Sequence, residues 1–288
     1  MDDKDYEILL ALSEKKSISK AAEKLFITQP ALSKRIQKIE KELDIQLLCR
    51  TSKGILLTPL GEGIIPYVQT FSNQNTLIHN YISANRTEVG GSLIAGISQN
   101  YSRYTLPNVL KKFSDNYPDV SVTIRTGKSN HMYSLLQNGI VNLAIVRGEY
   151  KWEDGQIFLS SEPLCLVTSE KYKTIPLSSY PYIGRYTDSS LQDQIDLWLE
   201  ENQLIGTKKM LQIDNIDTIL EMIEIGCGWS ILPSICLKPF SGIVEPLYFQ
   251  DGTPFLRNTY LLYHKNSMIL PQLKFFIQSI IKEEHPGC

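Results

Sequence analysis

Gln29, Ser33, Lys34, Gln37 and Lys38 bring an amide, a hydroxyl and ammonium groups to one side of a predicted helix. These are the groups that hydrogen-bond base edges and hold phosphates. Their side is set by the opposite one: Leu32, Ile36, Ile39 and Leu43 recur at helical spacing and form a stripe to be buried. Thr28 is placed to cap this helix and Pro30 to occupy its first turn, where a missing N–H costs nothing. Upstream, Ser19 is expected to cap a shorter helix carrying Ala21, Ala22 and Leu25, with Phe26 and Ile27 as the turn. Two short helices joined this way form a helix-turn-helix, whose second helix fits the major groove. Leu47-Leu48-Cys49 and Ile55-Leu56-Leu57 flank a basic turn and predict a hairpin. Arg50 and Lys53 at its tip would reach phosphates as a wing.

The elements that position these groups continue beyond the head. Thr58-Pro59 repeats the cap-and-proline pattern and opens a helix expected to reach about Arg86. Along it Ile64, Val68, Phe71, Asn75, Ile78 and Ile82 alternate at four and three, the seam of a two-helix coiled coil. Pro66 interrupts one internal hydrogen bond. After Gly90-Gly91 strand-like and helix-like runs alternate: strands at 92–97, 120–125 and 141–146, helices at 106–117 and 132–138. That alternation predicts an α/β domain with crossover connections.

Catalysis finds little support. Gly226-Cys227-Gly228-Trp229-Ser230 lacks the order of a nucleophile turn, and Gly90-Gly91 precedes a strand, the wrong context for a phosphate loop. Gly226 or Gly228 is better placed to end a helix at 219–225. Five cysteines form no Cys-x-x-Cys pair and four histidines have no metal-ligand spacing, so neither a disulfide framework nor a metal or other cofactor is expected. The net charge of −2 is uneven: residues 1–60 hold 11 Lys+Arg against 9 Asp+Glu, and the rest 18 against 22. Any DNA-facing patch must therefore come from local placement of Lys34, Arg35, Lys38, Lys41, Arg50 and Lys53. No apolar run is long enough to span a membrane, and the acidic start does not read as a signal peptide, so a cytoplasmic protein is expected.

Ser-x-x-Ala-Ala, Thr-Gln-Pro-Ala-Leu-Ser and Leu-Thr-Pro-Leu-Gly, in this order and spacing, resemble the LysR-type transcriptional regulators, and the resemblance extends over essentially the full length. It implies a multidomain protein: a winged helix-turn-helix (1–58) whose first helix spans 5–16 with Tyr6, Leu9, Leu10 and Ser13 on one side, a dimerising linker helix (59–88), and a two-lobed α/β domain of periplasmic-binding-protein type (89–288). Lobe I would take about 91–163 and 265–288, lobe II about 164–264, with strands crossing near 163–168 and 260–264 and a final helix at 270–282. The resemblance also implies double-stranded promoter DNA as a partner, self-association as dimer or tetramer, contact with RNA polymerase, and a small polar or anionic effector between the lobes. In that cleft the candidates are Ser98, Gln99, Asn100 and Tyr101 after the first strand, Ser129 before a helix, Arg147 after a strand, and Thr168, Tyr186, Thr187 and Trp229 in the second lobe. Each has a plainer reading as a helix cap or a packed aromatic. Where the family often has an aspartate, this chain has Asn142, and the cysteine pair of peroxide-sensing relatives is missing from 184–196. The competing readings are a solute-binding protein, a ligand-independent regulator with a binding-protein-like domain, and an enzyme that acquired a DNA-binding domain, which the missing acid/base constellation argues against.

Overall fold

The computed structural model describes residues 1–51, 54–84, 89–204, 209–238 and 240–285. They divide into two compact units: Met1–Ser92 with Gln137–Ile140, and the remainder from Leu93 onward.

The first unit opens with α1 (Asp3–Lys15), where Asp2 accepts from Asp5 N and the Asp5 carboxylate accepts from Asp2 N in a reciprocal capping box. Its buried face runs through Asp5, Ile8, Leu9 and Leu12. This is rotated from the expected Tyr6, Leu9, Leu10 and Ser13, since Tyr6 and Leu10 only flank the core. Helix α2 (Ile18–Lys24) is capped by Ser17, whose Oγ accepts from Lys20 N at 3.4 Å. Ser19 is not the cap: it already lies in the first helical turn, exposed. Thr28 and Pro30 open α3 (Gln29–Leu43) as expected, with Ala31 N donating to Thr28 Oγ1. Leu32, Ile36 and Ile39 are buried, but Leu43 is 38% exposed, because the left-handed Asp44 ends the helix there.

The hairpin is β1 (Leu48–Thr51) against β2 (Gly54–Leu57), antiparallel with Leu48 opposite Leu57. Helix α4 (Pro59–Ala84) follows, its first turn capped by Thr58 Oγ1, which accepts from Gly61 N at 3.0 Å. A Cβ on Gly61 would stand 2.6 Å from Leu47 O, so only glycine lets this turn close on the hairpin. Val68 reaches the head core beside Leu9, Leu32, Ile39 and Leu47. Phe71 lies on Tyr6 with ring centroids 4.5 Å apart, yet it remains 49% exposed, and Ile78 is 58% exposed. The predicted seam therefore splits: its start packs within the chain, while Ile78 stays uncovered. The side chain of Ile82 lies outside those described.

The second unit takes up the chain within β3 (Gly91–Ser98), from Leu93, and continues through α5 (Gln99–Tyr104), α6 (Leu106–Asn116), β4 (Val120–Gly127), α7 (Ser129–Gln137, all but its last residue) and β5 (Leu143–Arg147). Strand β6 (Gly155–Thr168) then passes from one lobe to the other. The second lobe holds β7 (Tyr182–Arg185), α8 (Ser189–Glu201), β8 (Lys209–Ile213), α9 (Ile216–Glu224), β9 (Ser230–Pro233) and β10 (Ile243–Pro246). Strand β11 (Leu256–Tyr263) and α10 (Pro271–Glu284) close the first lobe. There β11 pairs with β5 and with Gly155–Pro163 of β6, while β9 and β10 pair with the rest of β6. The first crossing thus falls near Pro163, as expected. The second does not lie at 260–264, which is inside the first lobe opposite β5. It comes at Phe255, whose carbonyl accepts from Leu164 N at 2.8 Å where the two connections run side by side. Phe113 meets Phe276 edge-on at 4.9 Å, which seats α10 on α6. Gly226, at φ +89°, ends α9, the role anticipated for it.

Candidate DNA-reading surface and effector cavity

On α3 the residues opposite the buried stripe are free to meet a partner. Gln29, Lys34, Gln37 and Lys38 are exposed and Ser33 is half-buried. Lys38 lies 3.5 Å from Glu42, an exposed contact that phosphate can displace at small cost. Arg35 departs from the expected patch. Its guanidinium turns back to α1, where Nε donates to Asp5 at 2.5 Å and a terminal nitrogen donates to Asp2. These carboxylates raise its pKa further, and it serves to lock α3 against α1. Sequence reasoning also passed over Glu40, whose Oε1 accepts from Leu47 N at 2.8 Å and Leu48 N at 3.2 Å, tying the wing to the reading helix. The turn before α3 holds Phe26 at φ +54° and 96% exposed. Arg50 sits on β1 opposite Ile55, with its side chain outside those described, and Lys53 lies outside the described residues.

In the second unit a cavity of about 370 Å³ opens between the two lobes. That is within the range of small-ligand sites. Ser98 ends β3 on its wall, 3% exposed, and its Oγ has no hydrogen-bond partner. Gln99 and Asn100 follow on the same wall, and Lys128 and Ser129 line it at the start of α7. The Ser129 hydroxyl accepts from Arg147 N at 2.9 Å, which joins two candidate residues across 18 positions of sequence. Arg147 is 7% exposed; its guanidinium pairs with Glu162, whose other oxygen accepts from Ile235 N at 2.8 Å, and its Nε has no partner. This pair straps the first lobe to the second through the crossing strand.

A second strap crosses the same cleft. Arg257 donates to Asp188 and, at 2.8 Å, to Arg147 O, while Asp188 also caps α8 by accepting from Leu191 N at 3.1 Å. Gly148 makes room for it: a Cβ there would stand 2.9 Å from the Arg257 guanidinium. Arg185, at the end of β7, faces the cavity with Nε unpartnered, and burial lowers its pKa from the ordinary arginine value. Tyr186 and Thr187 line the cavity as anticipated.

Three candidates are placed elsewhere. Tyr101 is 2% exposed in the first lobe's core, Thr168 bonds the Tyr180 hydroxyl at 3.1 Å, and the Trp229 indole donates to Leu177 O at 3.2 Å. None lines the cavity. Arg185, Asp188 and Arg257 were missed, although Arg185 had a signal: like Arg147 it ends an apolar strand run. Asn142 does the work of a β-strand partner, its Oδ1 accepting from Ile94 N at 2.7 Å.

A helix-turn-helix with a reading helix and wing, joined to a two-lobed domain with a polar interlobe cavity, defines a DNA-binding protein that carries a small-molecule sensor. The family comparisons agree at both ends: residues 4–62 match the bacterial regulatory helix-turn-helix protein, lysR family, and residues 86–284 match the LysR substrate binding domain. The chain belongs to the LysR family of transcriptional regulators. It is 34% identical over 285 residues to the HTH-type transcriptional regulator YraN of Bacillus subtilis (strain 168), covering 99% of both chains. It is 31% identical to YkuM of the same organism, covering 98% of each. Its fold is similar to that of CbnR in complex with its target DNA, with a TM-score of 0.70 at 15% identity, covering 98% of this chain and 100% of that one. Among the described residues no helix is long and apolar enough to cross a membrane.

Proposed function

We propose that this regulator binds promoter DNA through Gln29 and Ser33 at base edges, with Lys34, Gln37, Lys38, Arg50 and Lys53 at phosphates and Thr28 and Pro30 holding the helix start. The head, linker and two-lobed region act as three domains meeting near residues 58 and 88, with the return to the first lobe near 255. Two heads, paired through α4 in a dimer or tetramer, bind a partly palindromic site in the cytoplasm and bear on RNA polymerase there. CbnR, solved with its target DNA, supports this use of the head.

The effector is a small, polar and anionic metabolite in the cleft, held by Ser98, Gln99, Asn100, Ser129 and Arg147 from the first lobe. The observation that carries this is the partnerless Oγ of Ser98, a residue 3% exposed on the wall of a cavity that Arg147 and Arg185 also line. A buried polar group without a partner is costly, and a ligand oxygen would satisfy it. The effector acts by binding one arrangement of the lobes more tightly than another, since equal affinity for both would shift nothing. A thermal-shift screen of the full-length protein against common metabolites tests the reading, because a ligand of the folded state raises Tm by mass action. An anionic hit whose shift disappears in Ser98→Ala is the expected result. A hit that shifts Ser98→Ala and Ser129→Trp as much as wild type would place the effector elsewhere.

A further inference from the structure

The cations of the effector cavity are unequally neutralised. Arg103 pairs with Asp217, Arg147 with Glu162 and Arg257 with Asp188. Lys128 and Arg185 also line the cavity, and neither has an ion-pair partner among the described residues. They stand on opposite walls, Lys128 at the start of α7 in the first lobe and Arg185 at the end of β7 in the second. We propose that the effector carries two anionic groups, one bound on the first lobe by Lys128 with Ser98 and the Arg147 Nε, the other bound on the second lobe by Arg185. This deepens the reading of the cavity as the effector site and rests on it.

Arg185 is half-buried with its Nε enclosed and forms no ion pair among the described residues; Asp188, already paired with Arg257, offsets its charge only from a distance, while Arg147 and Arg257 oppose it. A guanidinium in that position has lost hydration without gaining a counter-ion, and its planar fork matches the paired oxygens of a carboxylate or phosphate. On the facing wall two donors are also unspent: Ser98 Oγ and Arg147 Nε, both on residues more than nine-tenths buried. A single acid group at Arg185 would leave these two buried donors unanswered. A neutral polar end would satisfy the donors but draw nothing from Lys128, whose exposed ammonium forms no ion pair among the described residues and stands at the start of α7. A second anionic group uses the donors and the ammonium together. Asp214, the remaining acid on the lining, is exposed at the second-lobe rim, where solvent screens it. A molecule held by one acid group on each lobe would also favour the closed arrangement over an open one, which is the differential affinity that a switch requires.

Calorimetric titration of the full-length protein with succinate, glutarate and 3-phosphoglycerate, against butyrate as the one-acid analogue, tests the proposal. At least one two-anion probe should bind about ten-fold or more tightly than butyrate, as expected from an added charge-assisted contact. Arg185→Gln and Lys128→Gln should each bring it down about ten-fold, toward the butyrate value, and Arg185→Lys should restore part of the loss. DNA affinity without any acid, unchanged in all three variants, confirms that they fold. Butyrate binding as tightly as every two-anion probe, no binding by any probe, or wild-type affinity in Arg185→Gln would overturn the proposal. A neutral metabolite whose binding disappears in Ser129→Trp would overturn it while leaving the effector cavity in place. A two-anion probe that binds Ser129→Trp as tightly as wild type would overturn both.

Discussion

Side chains proposed to read DNA and a side chain that holds the helix in place sit one position apart on α3. Ser33 and Lys34 face outward while Arg35 is spent on Asp2 and Asp5. Gln29→Ala and Ser33→Ala should weaken cognate DNA by about 1–3 kcal/mol each with little effect on random duplex, since base-edge contacts carry discrimination. Gel-shift titrations in which the ratio of specific to random affinity did not move would refute the assignment of this face. The cysteines make a second prediction at this scale. Cys49 is exposed, whereas burial pushes the Cys165 thiol up to about 11 and the Cys236 thiol up to about 12. Iodoacetamide at pH ~8 should therefore label Cys49 ahead of Cys165 and Cys236, which are spared until the protein unfolds, as read by mass spectrometry. For Cys236 the unfolded thiol releases its proton near 9.0 and the folded one near about 12. The folded state then holds the extra proton across that window, so stability is full below it and falls as pH rises through it. What the sequence could show here was the type and spacing of the outward residues on α3. It could not show that Arg35 was committed, because the commitment depends on Asp5 being carried 30 positions away on α1.

Helix caps were legible wherever the residue type and the start of the apolar period agreed, as at Thr28 and Thr58. They were ambiguous where two serines competed. Ser17 and Ser19 both precede Ala21-Ala22, and the choice between them is made by the extended backbone at Ser17 (φ −153°, ψ 127°), which no local pattern encodes. Strand crossings were legible on the outward leg and misplaced on the return, because β11 runs unbroken from Leu256 to Tyr263 and the lobe it joins is settled by its pairing with β5. For α4 the four-three spacing was visible, but spacing does not say which seam residues a helix shares with its own head. Val68 and Phe71 are already engaged there, the latter on Tyr6. The test of pairing between chains thus belongs to Ile78, 58% exposed and free of the head core. Ile78→Asp should break the dimer, since a carboxylate would be buried at the helix contact, and should weaken DNA binding because two half-site contacts act together only when tethered. Sedimentation velocity showing the wild-type oligomer in this variant would remove the seam from the account.

Across the whole molecule, one short segment is proposed to read DNA and a cavity lined from six separated stretches of chain to receive the signal. The first was readable because its chemistry is contiguous in sequence. The second was half readable: the turns at Ser98 and Ser129 and the strand-ending Arg147 were found, but the straps Arg147–Glu162 and Arg257–Asp188 join positions 15 and 69 residues apart and exist only after the lobes form. Arg185 is the residue on which the two halves can be separated experimentally, since it makes no ion pair among the described residues and its replacement breaks none. The most direct measurement is DNase footprinting of the full-length protein on a site selected from a random duplex pool, with the metabolite found by thermal shift titrated in, for wild type and Arg185→Gln. The account predicts that the selected site is partly palindromic and that metabolite changes its protected span or bending in wild type at concentrations that saturate the cavity. In Arg185→Gln the same site should be bound with unchanged affinity and its footprint should no longer respond at those concentrations. A footprint that is the same with and without metabolite in wild type, or that responds equally in both proteins, would contradict it.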